Sequence, residues 1–152
     1  MPRRAVLSDE QRMALLALPD DETTLVQHWT LSEDDLAIIV RRRRPHNRLG
    51  FAIQLCALRY PGRLLRPGEL IPDTPLAFVA EQLQIAPEVL ADYATRGPTR
   101  YEQLDALREG FGFTQFSRPL RAALQEWLLP IALTTTSGAG LARSLLGECR
   151  RR

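Results

Sequence analysis

Residues 47–62 read NRLGFAIQLCALRYPG, and this stretch decides the fold. Apolar side chains occupy nearly every face of a helix drawn through it, and Pro61-Gly62 ends that helix. A helix that is apolar all round is buried, so we expect this one at the centre of the domain, with Asn47 as its N-cap. Arg48 and Arg59, two of its few charged residues, lie about three turns apart and are expected to point the same way.

Helix signals continue toward the N-terminus from this central segment. Ser8 followed by Gln11 is typical of a capping box, and the helix that it opens should stop before Pro19. Ser32 is a suitable N-cap for another helix, whose last turn would hold Arg41–Arg44 in an order that complements the helix dipole. Since no run of alternating β-branched residues bounded by turns competes with these signals, the sequence predicts an all-α fold.

The chain is expected to form a compact multi-helix domain in two helical halves, joined by the proline- and glycine-containing segment 63–73. The first half, about 1–66, contains an arginine-rich helix-turn-helix unit. The second half, about 67–152, contains a helix-turn-helix-like segment at 74–110. The first two helices of that segment, the second beginning at Pro87, have the spacing of a helix-turn-helix, although any helical hairpin resembles this pattern.

The polar face of the helix beginning at Pro87 carries two acids, Glu88 and Asp92. Carboxylates there argue against a position deep in a DNA groove, because the phosphates would repel them. We therefore expect the next helix, opened by a capping box of Thr99 and Glu102, to face the DNA.

Charge is distributed unevenly along the chain. Residues 1–40 carry a net charge of −5, residues 41–66 carry eight arginines and no acid, and residues 67–152 carry −1, for an overall charge of +2. An acid-free block of positive charge attracts a polyanion by releasing counterions from its phosphates, so DNA or RNA is the natural candidate. A run of four arginines at a helix end is equally typical of a solvated terminus that satisfies the dipole, and this alternative stays open.

Two groups of residues make up the predicted DNA-binding site. One is the acid-free arginine block with its polar neighbours. The other surrounds a helix N-terminus, where free backbone N–H groups favour a phosphate, although a capped turn with surface arginines explains that group equally well. Most of the arginines would position the protein on phosphates, and Arg100 or Gln103 is the candidate base reader. The predicted residues are Arg41, Arg42, Arg43, Arg44, His46, Asn47, Arg48, Arg59, Arg63, Arg96, Thr99, Arg100 and Gln103.

Motifs for catalysis, metal binding and membrane insertion are missing from the sequence. His28 and His46 lack an HExxH spacing, and neither a glycine-rich phosphate loop followed by lysine nor a GxSxG motif occurs. Cys56 and Cys149 lie far apart with no CxxC or Cys/His cluster, so we expect no disulfide and no zinc site. No uncharged apolar stretch reaches about 18 residues, which predicts a cytoplasmic protein without a membrane partner. We expect no catalytic residue, no metal and no cofactor in this chain.

Three segments together resemble a known family. They are MPRRAVLSDEQR at 1–12, the stretch at 47–62, and TRGPTRYEQLDALREGFGF at 95–113. Over essentially the whole chain, the sequence resembles the N-terminal region of Tn-three family transposases, which are large bacterial replicative transposases. The resemblance implies an all-helical region that recognises the terminal inverted repeats of the transposon. It also implies that strand transfer belongs to a separate RNase-H-like domain with three carboxylates and magnesium ions, so this chain is not expected to be an enzyme by itself.

The resulting hypothesis is sequence-specific binding of double-stranded DNA at transposon ends, by the N-terminal module of a transposase that supports transposition and DNA recombination. The protein would act in the bacterial cytoplasm at the nucleoid, with other transposase subunits as further partners. The alternative is a helical protein-interaction module that assembles the transposase without direct DNA contact and uses the arginine block against an acidic partner surface.

Overall fold

The computed structural model describes residues 7–66, 68–93, 97–113 and 116–151, with the backbone alone at 97–101 and 151. These residues form helices and no strand, which confirms the all-α prediction. The helices are α1 (Asp9–Leu16), α2 (Glu22–His28), α3 (Glu33–Ile39), α4 (Pro45–Arg59), α5 (Asp73–Leu83), a 3₁₀ helix (Pro87–Asp92), α6 (Gly97–Phe111), α7 (Arg118–Thr134) and α8 (Gly138–Arg151).

The chain divides into two compact units. The larger is Leu18–Phe113, and the smaller combines Met1–Ala17 with Thr114–Arg152. Within the larger unit, α4 from the predicted first half packs against α5 and the 3₁₀ helix from the predicted second half. The division into halves at about residue 66 remains a prediction.

The central, buried position predicted for the helix in residues 47–62 is confirmed. Every residue of α4 from Leu49 to Ala57 is buried. The prediction that Asn47 is the N-cap of this helix is wrong. Pro45 occupies the first turn of α4 and Arg44 is the N-cap, because proline has a preset φ and lacks only an N–H that the first turn would leave unpaired anyway.

Side chains from the surrounding helices complete the core around α4. Trp29, at the end of α2, is fully buried, and its Nε1–H donates to the carbonyl oxygen of Tyr60 at 2.9 Å. The Gln82 amide on α5 donates to the carbonyl oxygen of Trp29 at 3.0 Å and accepts from the backbone N–H of Leu31 at 2.7 Å. Burial of each large apolar side chain contributes roughly 1.5–3 kcal/mol, and these hydrogen bonds satisfy the polar groups buried with them.

Of two expectations about the helices flanking α4, one is wrong and the other is not confirmed. The arginines at 41–44 do not form the last turn of a helix, because α3 ends at Ile39 and they lie in the turn that follows. Arg44 has an extended backbone with ψ of 143°, as expected for a residue before proline. The helix-turn-helix at 74–110 is not confirmed, because the segment beginning at Pro87 is a 3₁₀ helix of six residues.

A paired carboxylate and guanidinium join α3 to the C-terminal end of α4. Arg59 donates from Nη1 to Asp35 Oδ2 at 2.7 Å and from Nη2 to Oδ1 at 2.8 Å. The side chain of Asp35 is 7% exposed and also completes the capping box with Ser32 at the start of α3. These hydrogen bonds from Arg59 hold the pKa of Asp35 below its ordinary value against the opposing effect of burial, and they raise the pKa of Arg59.

The smaller unit contains α1, α7 and α8. The capping box predicted at the start of α1 is confirmed, since Ser8 Oγ accepts from the backbone N–H of Gln11 and the Gln11 side chain accepts from that of Ser8. Helix α7 packs against α8 and has Leu124 as its buried residue. No helix in the described parts of either unit is long and apolar enough to cross a membrane.

Replacing Asp35 with asparagine should lower the free energy of unfolding by about 2 kcal/mol at neutral pH, because it removes a charged partner from a largely buried pair. The lowered pKa of Asp35 means that its contribution is present above its unfolded pKa and is lost as pH falls through its folded pKa. Urea unfolding of the wild type and of Asp35→Asn at several pH values measures both effects. Asp34→Asn, an exposed position on the same helical turn, is the control and should cost under about 1 kcal/mol. Equal losses for the two variants would contradict the role of the pair.

Replacing Gly50 with alanine should destabilise the larger unit by about 2 kcal/mol, because a Cβ at this position in α4 would overlap the ring of Tyr93. The matched control is Gly110→Ala in α6, where the nearest side-chain atom, Ile38 Cγ2, is 3.4 Å from the added Cβ. Alanine should stabilise that helical position by roughly 0.5 kcal/mol. Thermal unfolding followed by circular dichroism gives both values, and a neutral Gly50→Ala would show that Tyr93 moves away without cost.

Candidate nucleic-acid interface

Three arginines project from the turn between α3 and α4. The side chains of Arg41, Arg43 and Arg44 are exposed. Within the described residues, none of them forms an ion pair with a carboxylate. The acids of residues 1–40 therefore leave these three charges available to an external anion.

The N-terminus of α4 lies in the same turn and adds to the positive potential. It has no side-chain cap and no acid in its first turn. By contrast, α1 and α3 each begin with a capping box and with acids in the first turn. The N-terminal end of a helix carries a partial positive charge, and the arginines beside α4 add to the positive potential there. An external anion is therefore attracted to this end of α4.

Arg42 and Arg48 have different surroundings from the three exposed arginines. Arg48 donates from Nε to the carbonyl oxygen of Arg42 at 2.6 Å and from Nη2 to that of Val40 at 3.3 Å, so it stabilises the turn. The guanidinium carbon of Arg42 lies 5.3 Å from the ring centroid of Phe51, which is fully buried on α4. Both side chains are half-buried.

Two other arginines predicted to bind DNA are held by carboxylates in the free protein. Arg59 pairs with Asp35, as described above. Arg63 donates from Nη1 and Nη2 to the two carboxylate oxygens of Glu69 at 2.8 and 2.9 Å, and these hydrogen bonds lower the pKa of Glu69. A phosphate would have to compete with these carboxylates, so Arg59 and Arg63 stabilise the fold before any ligand is bound.

The structure also connects the two groups of predicted residues through α6. His46 and Asn47 are half-buried in the first turn of α4. Gln103 on α6 is 3% exposed, and its Nε2 donates to the carbonyl oxygen of Asn47 at 3.5 Å. In the free protein Gln103 therefore faces α4 rather than solvent. Arg96 and the side chains of Thr99 and Arg100 lie outside the described residues, so the predicted contacts there remain predictions.

Sequence reasoning missed the role of Phe51. The spacing between Arg42 and Phe51 has no periodic signal, because a turn and the start of a new helix separate them.

Among the described residues, no group of three or more potential metal ligands is found.

Comparison with known proteins places this chain in a family. A family model described as "Domain of unknown function (DUF4158)" matches residues 6–152. The transposase for transposon Tn21 of Escherichia coli is 43% identical over 151 residues, which is 99% of this chain and 15% of that protein. The transposase for transposon Tn501 of Pseudomonas aeruginosa is 38% identical over 152 residues, which is 100% of this chain and 15% of that protein. The transposase for transposon Tn1546 of Enterococcus faecium is 36% identical over 146 residues, covering 96% of this chain and 14% of that protein.

The chain thus spans about 15% of the length of the curated relatives that it matches, as expected for one region of a much longer transposase. The chain belongs to the family described as "Domain of unknown function (DUF4158)", and the resemblance of its sequence to the Tn-three family of transposases is confirmed.

Proposed function

We propose that this domain binds double-stranded DNA at the ends of a transposon, as the N-terminal module of a transposase. The observation that carries the proposal is the group of exposed arginines Arg41, Arg43 and Arg44, unpaired within the described residues, beside the uncapped N-terminus of α4. The side chains supply mobile positive charge and the helix supplies backbone donors. This combination suits the phosphates of a nucleic acid backbone.

The charge pattern of the rest of the chain supports a localised interface. The eight acids of residues 1–40 neutralise little of the arginine block, since among the described residues the ion pair from this region is that of Asp35 with Arg59. A phosphate contact contributes affinity without reading sequence, so recognition of a terminal inverted repeat also needs base contacts. Thr99 and Arg100, near the start of α6, are the proposed source of these contacts, because Gln103 brings α6 close to the first turn of α4.

Strand transfer is proposed to belong to another part of the full transposase. The relatives are proteins for which this chain accounts for about 15% of the length. The domain would hold the transposon end in position while carboxylates elsewhere in the transposase perform the chemistry with metal ions. On this proposal the protein works at the bacterial nucleoid, with DNA and other transposase subunits as partners.

Arg43→Ala and Arg44→Ala should each weaken binding to every duplex by a similar factor and reduce the slope of log K against log salt by about one unit. Gel-shift titration at several salt concentrations, with a terminal inverted repeat and a scrambled duplex, measures both quantities. Arg12→Ala is the control, because Arg12 is exposed on α1 beside Asp9 and Glu10, and its removal lowers the net charge equally. If Arg43→Ala and Arg44→Ala leave the affinity and the salt slope unchanged, this turn does not contact the DNA.

A second candidate function, assembly of transposase subunits, is favoured by the surface of the smaller unit. Leu129 and Leu133 lie one turn apart on α7 and are 60% and 79% exposed. Phe116 and Met13 in the same unit are also exposed. Two exposed leucines one turn apart on the same helix make an apolar surface of the kind that protein-interaction sites use. The two functions can coexist, since they use different units.

Light scattering of the purified chain tests this second function. Self-association through α7 predicts a mass above that of a monomer, and Leu129→Ser with Leu133→Ser should restore the monomer without changing DNA affinity. The control pair is Val26→Ser and Val40→Ser, exposed apolar positions in the larger unit, which should leave the mass unchanged. A monomeric wild-type chain at high protein concentration would contradict assembly through this surface.

A further inference from the structure

We propose that Arg42 is a preformed phosphate clamp and that it contributes more to DNA affinity than any of the exposed arginines beside it. This inference rests on the proposed DNA-binding function and specifies how that interface works. It is drawn from the stacking of Arg42, from its unused hydrogen-bond donor and from the arrangement of a second arginine in the same unit.

The first observation is that an aromatic ring fixes the guanidinium of Arg42. Its central carbon lies 5.3 Å from the centroid of Phe51, and Phe51 is fully buried, so the surrounding core holds its ring in place. Stacking on a ring is favourable for an arginine and holds the plane of the guanidinium in one orientation. Exposed arginines such as Arg41 and Arg43 lose side-chain entropy when a ligand immobilises them. Arg42 has already lost part of this freedom in folding.

The second observation is that Arg42 has a donor with no acceptor. Its Nε is buried and has no hydrogen-bond partner in the part of the chain that the structure describes. Arg48 occupies the backbone carbonyls of Val40 and Arg42 itself, so these acceptors are already in use. A buried donor without an acceptor costs free energy, so the fold holds this guanidinium in place against that cost. Because Nε is covered, a phosphate would contact the terminal nitrogens of the same guanidinium, which are not among the buried unpaired atoms.

The third observation is that the same unit holds a matching arginine whose anion is present. The guanidinium carbon of Arg59 lies 5.5 Å from the centroid of Phe111, much as Arg42 lies against Phe51. The two rings pack on each other with centroids 6.2 Å apart. The guanidinium of Arg59 donates two hydrogen bonds to the carboxylate of Asp35. No carboxylate of the described residues pairs with Arg42, and a phosphate offers it the same paired oxygen acceptors.

The three observations separate Arg42 from the other arginines of the turn. Arg48 uses its donors within the protein, whereas Arg41, Arg43 and Arg44 are exposed and form no ion pair within the described residues. Only an arginine whose guanidinium is already oriented and unpaired can form two hydrogen bonds to a phosphate without a large loss of side-chain entropy. We therefore expect the contribution of Arg42 to DNA affinity to depend on the planar shape of its guanidinium. The contributions of its neighbours should depend on their charge alone.

The test compares lysine substitutions, which keep the charge and remove the planar fork. Arg42→Lys should weaken binding of a labelled terminal-repeat duplex about tenfold, and Arg43→Lys less than about twofold, with the salt slope unchanged in both. Fluorescence anisotropy of the full chain at two salt concentrations measures these values. Equal losses for the two lysine variants, with wild-type binding intact, would overturn the clamp and leave the proposed function standing. A wild-type chain that binds no duplex would overturn the proposed function and the clamp together.

Nuclear magnetic resonance gives a readout that does not depend on the folding of a variant. In the ¹⁵N-labelled wild-type chain, the Nε–H signal of Arg42 should be displaced by the ring of Phe51 and should shift on addition of the duplex. The corresponding signal of Arg59, already paired with Asp35, should stay in place and serves as the internal control. An Arg42 signal that does not move at saturating duplex would overturn the assignment.

Discussion

Burial of α4 on nearly every face is the constraint on which the rest of the structure depends. From Leu49 to Ala57 this helix has no position at which a charged side chain could reach water. Unpaired charge is too costly to bury, so the basic residues of the central segment collect at the two ends of the helix. At one end they meet the turn after α3, and at the other they meet the start of α3 and the end of α6. Close packing on α4 thereby sets the positions of the charges that the protein presents.

The arginines of residues 41–66 differ in environment although they are chemically identical. Arg59 and Arg63 hold carboxylates in the free protein, and Arg48 holds two backbone carbonyls. Arg41, Arg43 and Arg44 are solvated. A charge that is already paired adds little to the attraction of a polyanion, so the effective charge of the block is smaller than its composition suggests. The interface is therefore narrower than the arginine block, and it centres on the turn before α4.

Local signals predicted much of the helical architecture. The capping box at Ser8 and the N-cap at Ser32 formed as expected, because each needs only residues three apart in sequence. The start of α4 was missed because both Asn47 and Pro45 are compatible with a helix start, and the preset φ of proline favours the earlier one. The 3₁₀ helix was missed because its apolar spacing matches that of an α-helix, and the two differ in hydrogen-bond pattern, which the sequence does not display.

What the sequence by itself determined is the fold class, the burial of the central helix and the acid-free run of arginines. These follow from periodicity and composition, which act along the chain. Only the tertiary structure decided which arginine meets Asp35, which stacks on Phe51 and which remains free in the described residues. The physical reason is that a side chain's partner depends on distances between helices, and these distances are set by packing around α4 rather than by neighbours in sequence.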